Sequence, residues 1–172
     1  MKYAKINTHD IANGPGIRVS LFVSGCRRKC PGCFNEEAQD FNYGQPFTEE
    51  TIKEILKALD NPWINGLTIL GGEPFEEENV YEVMKLINRV VARFKYEKTI
   101  WLYTGYTVEE IISKTRTDLR KQCILSDIDV LVDGPFIQEQ KDISLKFRGS
   151  RNQRIIDMPN TRRAGEVVLA EV

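Results

Sequence analysis

A repeated alternation of strand-like and helix-like segments constrains this chain more than any other feature of its sequence. The run IRVSLFV, residues 17–23, sets Ile17, Val19, Leu21 and Val23 against Arg18 and Ser20, the period of two expected of a strand. Short apolar runs recur at GLTIL (66–70), TIWLY (99–103) and IDVLVDG (128–134). Helix-like segments separate them. In PFTEETIKEILKALDN, Thr48 is a candidate N-cap, acids follow in the first turn, and Ile52, Ile55, Leu56 and Leu59 share one face. Residues 77–95 put Val80, Val83, Ile87, Val90, Val91 and Phe94 on an inner stripe, and TVEE from Thr107 has the form of a capping box.

This order predicts βαβ units and an α/β fold with a mainly parallel sheet. A closed eight-unit barrel takes about 250 residues. With 172 residues and roughly 30 per unit, the chain supplies about five or six. The expectation is a single domain over residues 1–172, built as an open, partial βα barrel, with a doubly wound sheet as the alternative. Either architecture places ligands beyond the carboxyl ends of the strands. Four distinctive loops follow those ends: the cysteine loop SGCRRKCPGCFN (24–35), GGEP (71–74), TGY (104–106) and DGPF (133–136).

Three of the four cysteines, Cys26, Cys30 and Cys33, fall within that first loop. The amino terminus lacks the apolar run of a signal peptide, and no stretch reaches the length of a membrane span. A cytoplasmic chain with reduced thiols is the resulting expectation, so the cluster reads as metal-binding or catalytic and not as a disulfide framework. A formal net charge of -1 gives no reason to expect nucleic acid as the main partner.

A zinc site would need a fourth ligand, from Cys123 or His9, at an unusual spacing. A cubic iron–sulfur cluster normally takes four thiolates, so three from one loop leave one iron open for substrate. Gly25, Pro31 and Gly32 let the loop backbone wrap closely around a bulky cofactor. The GGEP turn has a physical case of its own. Its glycines permit close approach to backbone carbonyls, and Glu73 can accept a charge-assisted hydrogen bond from an ammonium. NGPGIR (13–18), TGY and DGPF each also read as turns, with Asp133 able either to contact a ligand or to order the site. A basic tail from about residue 146 carries Lys146, Arg148, Arg151, Arg154, Arg162 and Arg163 against Asp157; it is a solvated surface or a docking site for a larger protein. Cys123 reads as a small packed side chain and His9 as structural or solvated.

The C-x3-C-x2-C loop after a first strand resembles that of the radical S-adenosylmethionine enzymes. The resemblance implies that Cys26, Cys30 and Cys33 ligate a [4Fe–4S] cluster whose open iron is chelated by S-adenosylmethionine. It also implies that Gly71, Gly72, Glu73 and Pro74 receive the cofactor's amino group. Many members carry a bulky residue just before the third cysteine, where this chain has Gly32. The adenine contact then falls to loop backbone at Gly32 and Cys33, or to Phe34.

Taken together, NGPGIR, LFVSGC, CPGCFN, TGY, VLVDGPF and FRGSRNQRI resemble the activating proteins of anaerobic ribonucleotide reductases, to about residue 156. What this implies is an enzyme that generates a glycyl radical on the large reductase subunit, with no side-chain general base. The electron would come from a flavodoxin- or ferredoxin-type donor. Glu73 stands where an Asp is also common, and the chain after Ile156 has no clear match. Two alternatives stay open: an activase of another glycyl-radical enzyme, of the pyruvate formate-lyase type, and a non-catalytic metal or electron-carrying module.

Overall fold

The structure is a computed structural model. It describes residues 1–114 and 117–172, and of Lys114 the backbone only. The four apolar runs form the central strands β2 (Ile17–Val23), β4 (Ile64–Gly71), β5 (Thr99–Tyr103) and β6 (Val130–Asp133), all mutually parallel. Three strands that the alternation pattern does not mark complete the sheet: β1 (Lys2–Asp10), β3 (Gln45–Pro46) and β7 (Arg154–Asp157). The order is β3-β1-β2-β4-β5-β6-β7, with β3, β1 and β7 joining antiparallel. Among the described residues the result is a seven-stranded mixed sheet, parallel at its centre and open at both edges. Among the described residues no helix is long and apolar enough to cross a membrane.

Five α-helices accompany it among the described residues: α1 (Glu49–Leu59), α2 (Glu77–Phe94), α3 (Val108–Lys114), α4 (Leu119–Asp127) and α5 (Met158–Ala164). Local chemistry sets their starts. Thr48 caps α1 in a reciprocal box with Thr51. At α3, the Thr107 amide donates to Glu110 Oε2 at 2.8 Å while the Glu110 amide donates to Thr107 Oγ1 at 3.2 Å, the box that TVEE foreshadows. Ile52, Ile55 and Leu59 of α1 and Val80, Val83, Ile87 and Val90 of α2 pack with Val19, Leu21, Leu67, Ile69 and Leu102 in one core. Val108, Ile124 and Met158 bring the other three helices into that same core. The helices thus cover one face of the sheet, unlike a doubly wound sheet, whose helices cover both.

The opposite face holds a surprise for the period-two reading. Arg18 and Ser20 point away from the helices, yet both are fully buried. Loops roof this side, and Trp101, Val132 and Ile155 form a second, smaller core against Phe147. Arg18 makes no ion pair among the described residues. Its Nε donates to Thr68 Oγ1 at 2.7 Å, Nη1 to Thr99 Oγ1 at 3.0 Å, and Nη2 to the Leu67 and Thr99 carbonyls at 2.8 and 2.9 Å. The guanidinium also lies 5.5 Å from the Trp101 ring. Burial pulls its pKa down to about 10, which still leaves it charged at neutral pH.

The basic stretch after residue 146 belongs to the fold. Arg154 opens β7 and reaches Asp133 (Nε to Oδ1, 2.9 Å) and Glu109 (Nη2 to Oε2, 2.7 Å), while Arg162 caps the Leu125 and Ile128 carbonyls at 2.8 and 3.2 Å. Cys123 is a correction. It is exposed on α4, whose buried residues are its neighbours Ile124 and Leu125. His9 is exposed on β1, with Nδ1 at 3.0 Å from Thr8 Oγ1.

Arg18→Met keeps the bulk and removes the donors, stranding buried carbonyls. It is expected to cost about 2–4 kcal/mol, read as a lower urea midpoint. An unchanged midpoint would show that the network adds nothing net.

Candidate functional site

The carboxyl ends of β2, β4, β5 and β6 open onto one cavity of about 390 Å³. Cys26, Cys30, Cys33 and Phe34 line it from the loop after β2, Gly71 to Glu73 from the turn after β4, and Tyr103 to Gly105 from the end of β5. Ala12 and Asn13, from the loop before β2, complete its floor. Of the residues expected from sequence to hold the cluster or S-adenosylmethionine (Cys26, Cys30, Gly32, Cys33, Phe34 and Gly71 to Pro74), all but Gly32 and Pro74 line the cavity. Gly32 is exposed, with φ +70°, and Pro74 is buried in the turn leading to α2.

Backbone hydrogen bonds stitch these loops together. The Gly72 amide donates to the Val23 carbonyl at 2.7 Å and the Glu73 amide to the Gly25 carbonyl at 2.8 Å. The Gly25 and Cys26 amides donate to Ala38 and Gln39 carbonyls at 2.8 and 3.0 Å, which closes the cysteine loop on itself. Gly71 adopts φ +107°, where a side chain is strained. At Gly72 a Cβ would come within 2.6 Å of the Gly25 carbonyl and 2.8 Å of the Ala38 carbonyl. Gly72 is therefore required by the approach of the cysteine loop, and Gly71 by its own φ and the closeness of the β2 backbone, whatever ligand the cavity takes.

Glu73 is 1% exposed. Its Oε1 accepts from the Phe75 amide (3.0 Å) and the Thr104 hydroxyl (2.9 Å), and its Oε2 from the Gly105 amide (2.8 Å). Two carboxylate oxygens offer four acceptor positions, so one remains. Burial, opposed by those three donors, pushes its pKa up to about 7. Asn79, fully buried on α2, donates to the Ser24 and Glu73 carbonyls at 2.9 and 3.0 Å. Glu76 anchors the cysteine loop from the N-cap position of α2, accepting from the Arg27 amide at 2.8 Å and the Arg27 guanidinium at 2.6 Å. Asp133 orders the site from behind: it is fully buried and accepts from the Val108 amide at 2.8 Å as well as from Arg154.

The thiols fit a cluster better than a single ion. Among the described residues no group of three His, Cys, Asp or Glu side chains is placed to hold one metal ion. Yet Cys26, Cys30 and Cys33 all line the one cavity, and soft thiolates are the donors that iron–sulfur clusters use, each on its own iron. Burial raises the Cys26 thiol to about 11, partly offset by the Arg28 and Lys29 amides. The Asn35 amide donates to Cys33 Sγ at 3.4 Å. Such N–H···S contacts stabilise thiolates and tune a bound cluster. Cys123 lies away from the cavity.

Sequence reasoning missed Arg28, Glu76 and Asn79, and marked Thr104 only as part of the TGY loop. Arg28 lines the cavity between two of the cysteines, its guanidinium 4.6 Å from the Tyr106 ring. Its place inside C-x3-C was the available signal. Glu76 and Asn79 lie two and five residues beyond GGEP, at the N-cap and on the first turn of α2, positions that sequence alone does not distinguish from surface.

The Glu73 carboxyl makes the chain's stability depend on pH. Its folded-state pKa, about 7, lies above the ordinary 4.5, so the folded chain binds more protons than the unfolded one between those values. The stability it contributes is complete below pH 4.5 and is lost as pH rises to about 7. Glu73→Gln, neutral throughout, is expected to flatten that part of the cluster-free chain's denaturation profile. Equal slopes in the two proteins would contradict the assignment.

A family model described as a 4Fe-4S single cluster domain matches residues 12–156. The anaerobic ribonucleoside-triphosphate reductase-activating protein of Vibrio cholerae is 42% identical over 157 residues, covering 90% of this chain and 97% of that protein. Its namesake in Escherichia coli is 41% identical over 155 residues, covering 89% and 96%. The protein of that name in Haemophilus influenzae is 40% identical over 157 residues, covering 90% and 97%. The matched span contains every cavity-lining loop. The chain belongs to the family of anaerobic ribonucleoside-triphosphate reductase-activating proteins, with their 4Fe-4S single cluster domain.

Proposed function

We propose that this chain is a radical S-adenosylmethionine activase that generates a glycyl radical on an anaerobic ribonucleotide reductase. One observation carries the reading. The three cysteines, the Gly71–Glu73 turn and the Tyr103–Gly105 turn meet on one cavity, in a chain whose relatives are named as activators of that reductase. Bound there, a [4Fe–4S] cluster and S-adenosylmethionine would supply one-electron cleavage of the sulfonium C–S bond and a deoxyadenosyl radical able to take hydrogen from the glycine Cα.

The remaining tasks belong to the chain. Cys26, Cys30 and Cys33 would hold one iron each and leave the fourth open to the amine and carboxylate of S-adenosylmethionine. The carbonyls of Gly71 and Gly72 and the remaining acceptor position of Glu73 would take the ammonium. A cation placed there favours ionised Glu73 and offsets its burial. Since Gly32 does not line the cavity, the adenine contact falls to Cys33 and Phe34, while Pro74 fixes the turn into α2. The electron would come from a flavodoxin- or ferredoxin-type donor in the cytoplasm, where thiols stay reduced. In this reading residues 1–172 act as one domain, the open sheet curved as a partial barrel about the cavity, with neither nucleic acid nor membrane as partner.

Anaerobically reconstituted chain, given reductant, S-adenosylmethionine and the reductase large subunit, is expected to release 5'-deoxyadenosine and methionine in equal amounts and to leave a glycyl-radical doublet on the reductase. Cys30→Ala abolishes both products, and Cys123→Ala leaves both unchanged. A full cluster complement without cleavage of S-adenosylmethionine would contradict the proposal.

A further inference from the structure

Between β6 and β7 the chain leaves the sheet over residues 134–153. This excursion carries FRGSRNQ and most of DGPF, motifs without a task in the proposed function. The first motif fastens the second. The Ser150 hydroxyl accepts the Ile137 amide at 3.2 Å, the Asn152 side chain donates to the Pro135 carbonyl at 2.7 Å, and the Gln153 side chain donates to the Gly134 carbonyl at 3.1 Å. Gln153 Oε1 also accepts the Gly149 and Ser150 amides at 2.9 and 3.2 Å. Lys141 and Ser150 form a bridge, which folds residues 141–151 into a hairpin along the cavity. The sheet holds this hairpin from below. The Tyr103 hydroxyl donates to the Phe147 carbonyl at 2.8 Å, and the Trp101 and Phe147 rings meet edge-on at 5.6 Å.

The excursion meets the cysteine loop at the residues on either side of Cys33. After it stands Phe34, whose ring lies edge-on to the Phe136 ring at 5.1 Å, with Lys141 Nζ 4.9 Å from its centre. Gly149 closes against the same pair: a Cβ there would come within 2.8 Å of the Phe34 ring and 3.1 Å of the Phe136 ring. Before Cys33 stands Gly32, where a Cβ would collide with the Gln138 side-chain oxygen. Cys26 is supported differently. Its part of the loop is bonded to the Ala38 and Gln39 carbonyls, to the Glu73 amide and, through Arg27, to Glu76. Among the described residues the hydrogen bonds of Cys33 stay within the loop, its amide donating to the Cys30 carbonyl at 3.2 Å and its sulfur accepting from the Asn35 amide. The first and third thiols are thus held by different parts of the fold.

We propose that Phe136, Gln138 and Gly149 are positioning residues for Cys33: acting through Phe34 and Gly32 they set where the third thiolate stands, so that the cluster and the hairpin stabilise each other. The inference rests on that part of the proposed function in which Cys33 holds an iron. Three thiolates bonded to one cluster turn the loop into a single rigid unit, and a fixed Phe34 in turn fixes the Phe136 and Gly149 that pack on it. Linkage makes the effect mutual, because a contact that favours the filled site is itself favoured by filling.

The test uses the full chain, anaerobically reconstituted, with the variants Phe136→Ala, Gly149→Ala and Phe136→Tyr. Cluster loss to an iron chelator is followed by visible absorbance, and hydrogen–deuterium exchange of residues 141–151 is measured with the cluster in place and after its removal. In the unaltered chain the cluster is expected to slow exchange of the hairpin amides. Phe136→Ala and Gly149→Ala are each expected to lose the cluster roughly tenfold faster and to shrink that exchange difference. Phe136→Tyr keeps the ring and is expected to restore both. The exchange arm on the unaltered chain does not depend on any variant folding. Hairpin exchange that ignores the cluster there, or unaltered cluster loss in both alanine variants, would overturn the positioning role alone. Failure of the unaltered chain to take up a cluster would overturn the thiol assignment, and the positioning role with it.

Discussion

The site depends on one buried residue, Glu73. Its amide holds the carbonyl of Gly25 at the root of the cysteine loop, its carboxylate gathers the Phe75, Thr104 and Gly105 donors, and its carbonyl is held by Asn79. Loops from three consecutive parallel strands are therefore fixed to one another through a single side chain and its own peptide. Burying that carboxylate is costly, which is why its pKa lies near 7. The three donors are the offset, one acceptor position is left over, and the residue lines the cavity. A carboxylate so placed both builds the site and favours a cation within it.

The sheet divides the labour between its faces. The helical face is an ordinary apolar core, and its side chains are those that period-two and period-3.6 patterns single out. The other face buries polar groups: Arg18, Ser20 and Thr68 lie beneath the loops, with Asp10 held by the Ala12 amide and the Asn13 side chain at 2.8 and 2.7 Å. Thr68 passes the Arg18 network on to the Asn13 carbonyl at 2.9 Å, at the cavity floor. NGPGIR is thus more than a turn before a strand. Its glycines, its asparagine and its arginine tie the roofing loop to the polar face of the sheet.

Much of this was legible in the sequence, for physical reasons. The four parallel strands are short apolar runs, and α1 and α2 have wide buried stripes, so periodicity located them. The cysteine loop and GGEP stood out because their residue types are rare in combination. The missed elements lack such signals. β1, KYAKINTHD, is largely polar and buries only Asp10, β7 has only Ile155 and Ile156 buried, and α4 buries just Ile124 and Leu125. Arg18 was placed on a polar face because alternation reports which side of a strand a residue occupies. It does not report what covers that side. The same limit hid the hairpin at 141–151, whose basic residues read as a tail until β7 paired with β6 and turned the intervening chain over the cavity.

The central claim is that three thiolates hold a cluster and leave one iron open to S-adenosylmethionine. Electron paramagnetic resonance of the anaerobically reconstituted, reduced chain tests it most directly. The account predicts a reduced [4Fe–4S] signal whose g-values shift when S-adenosylmethionine is added. A cluster signal indifferent to S-adenosylmethionine, or no cluster signal at all, would contradict it.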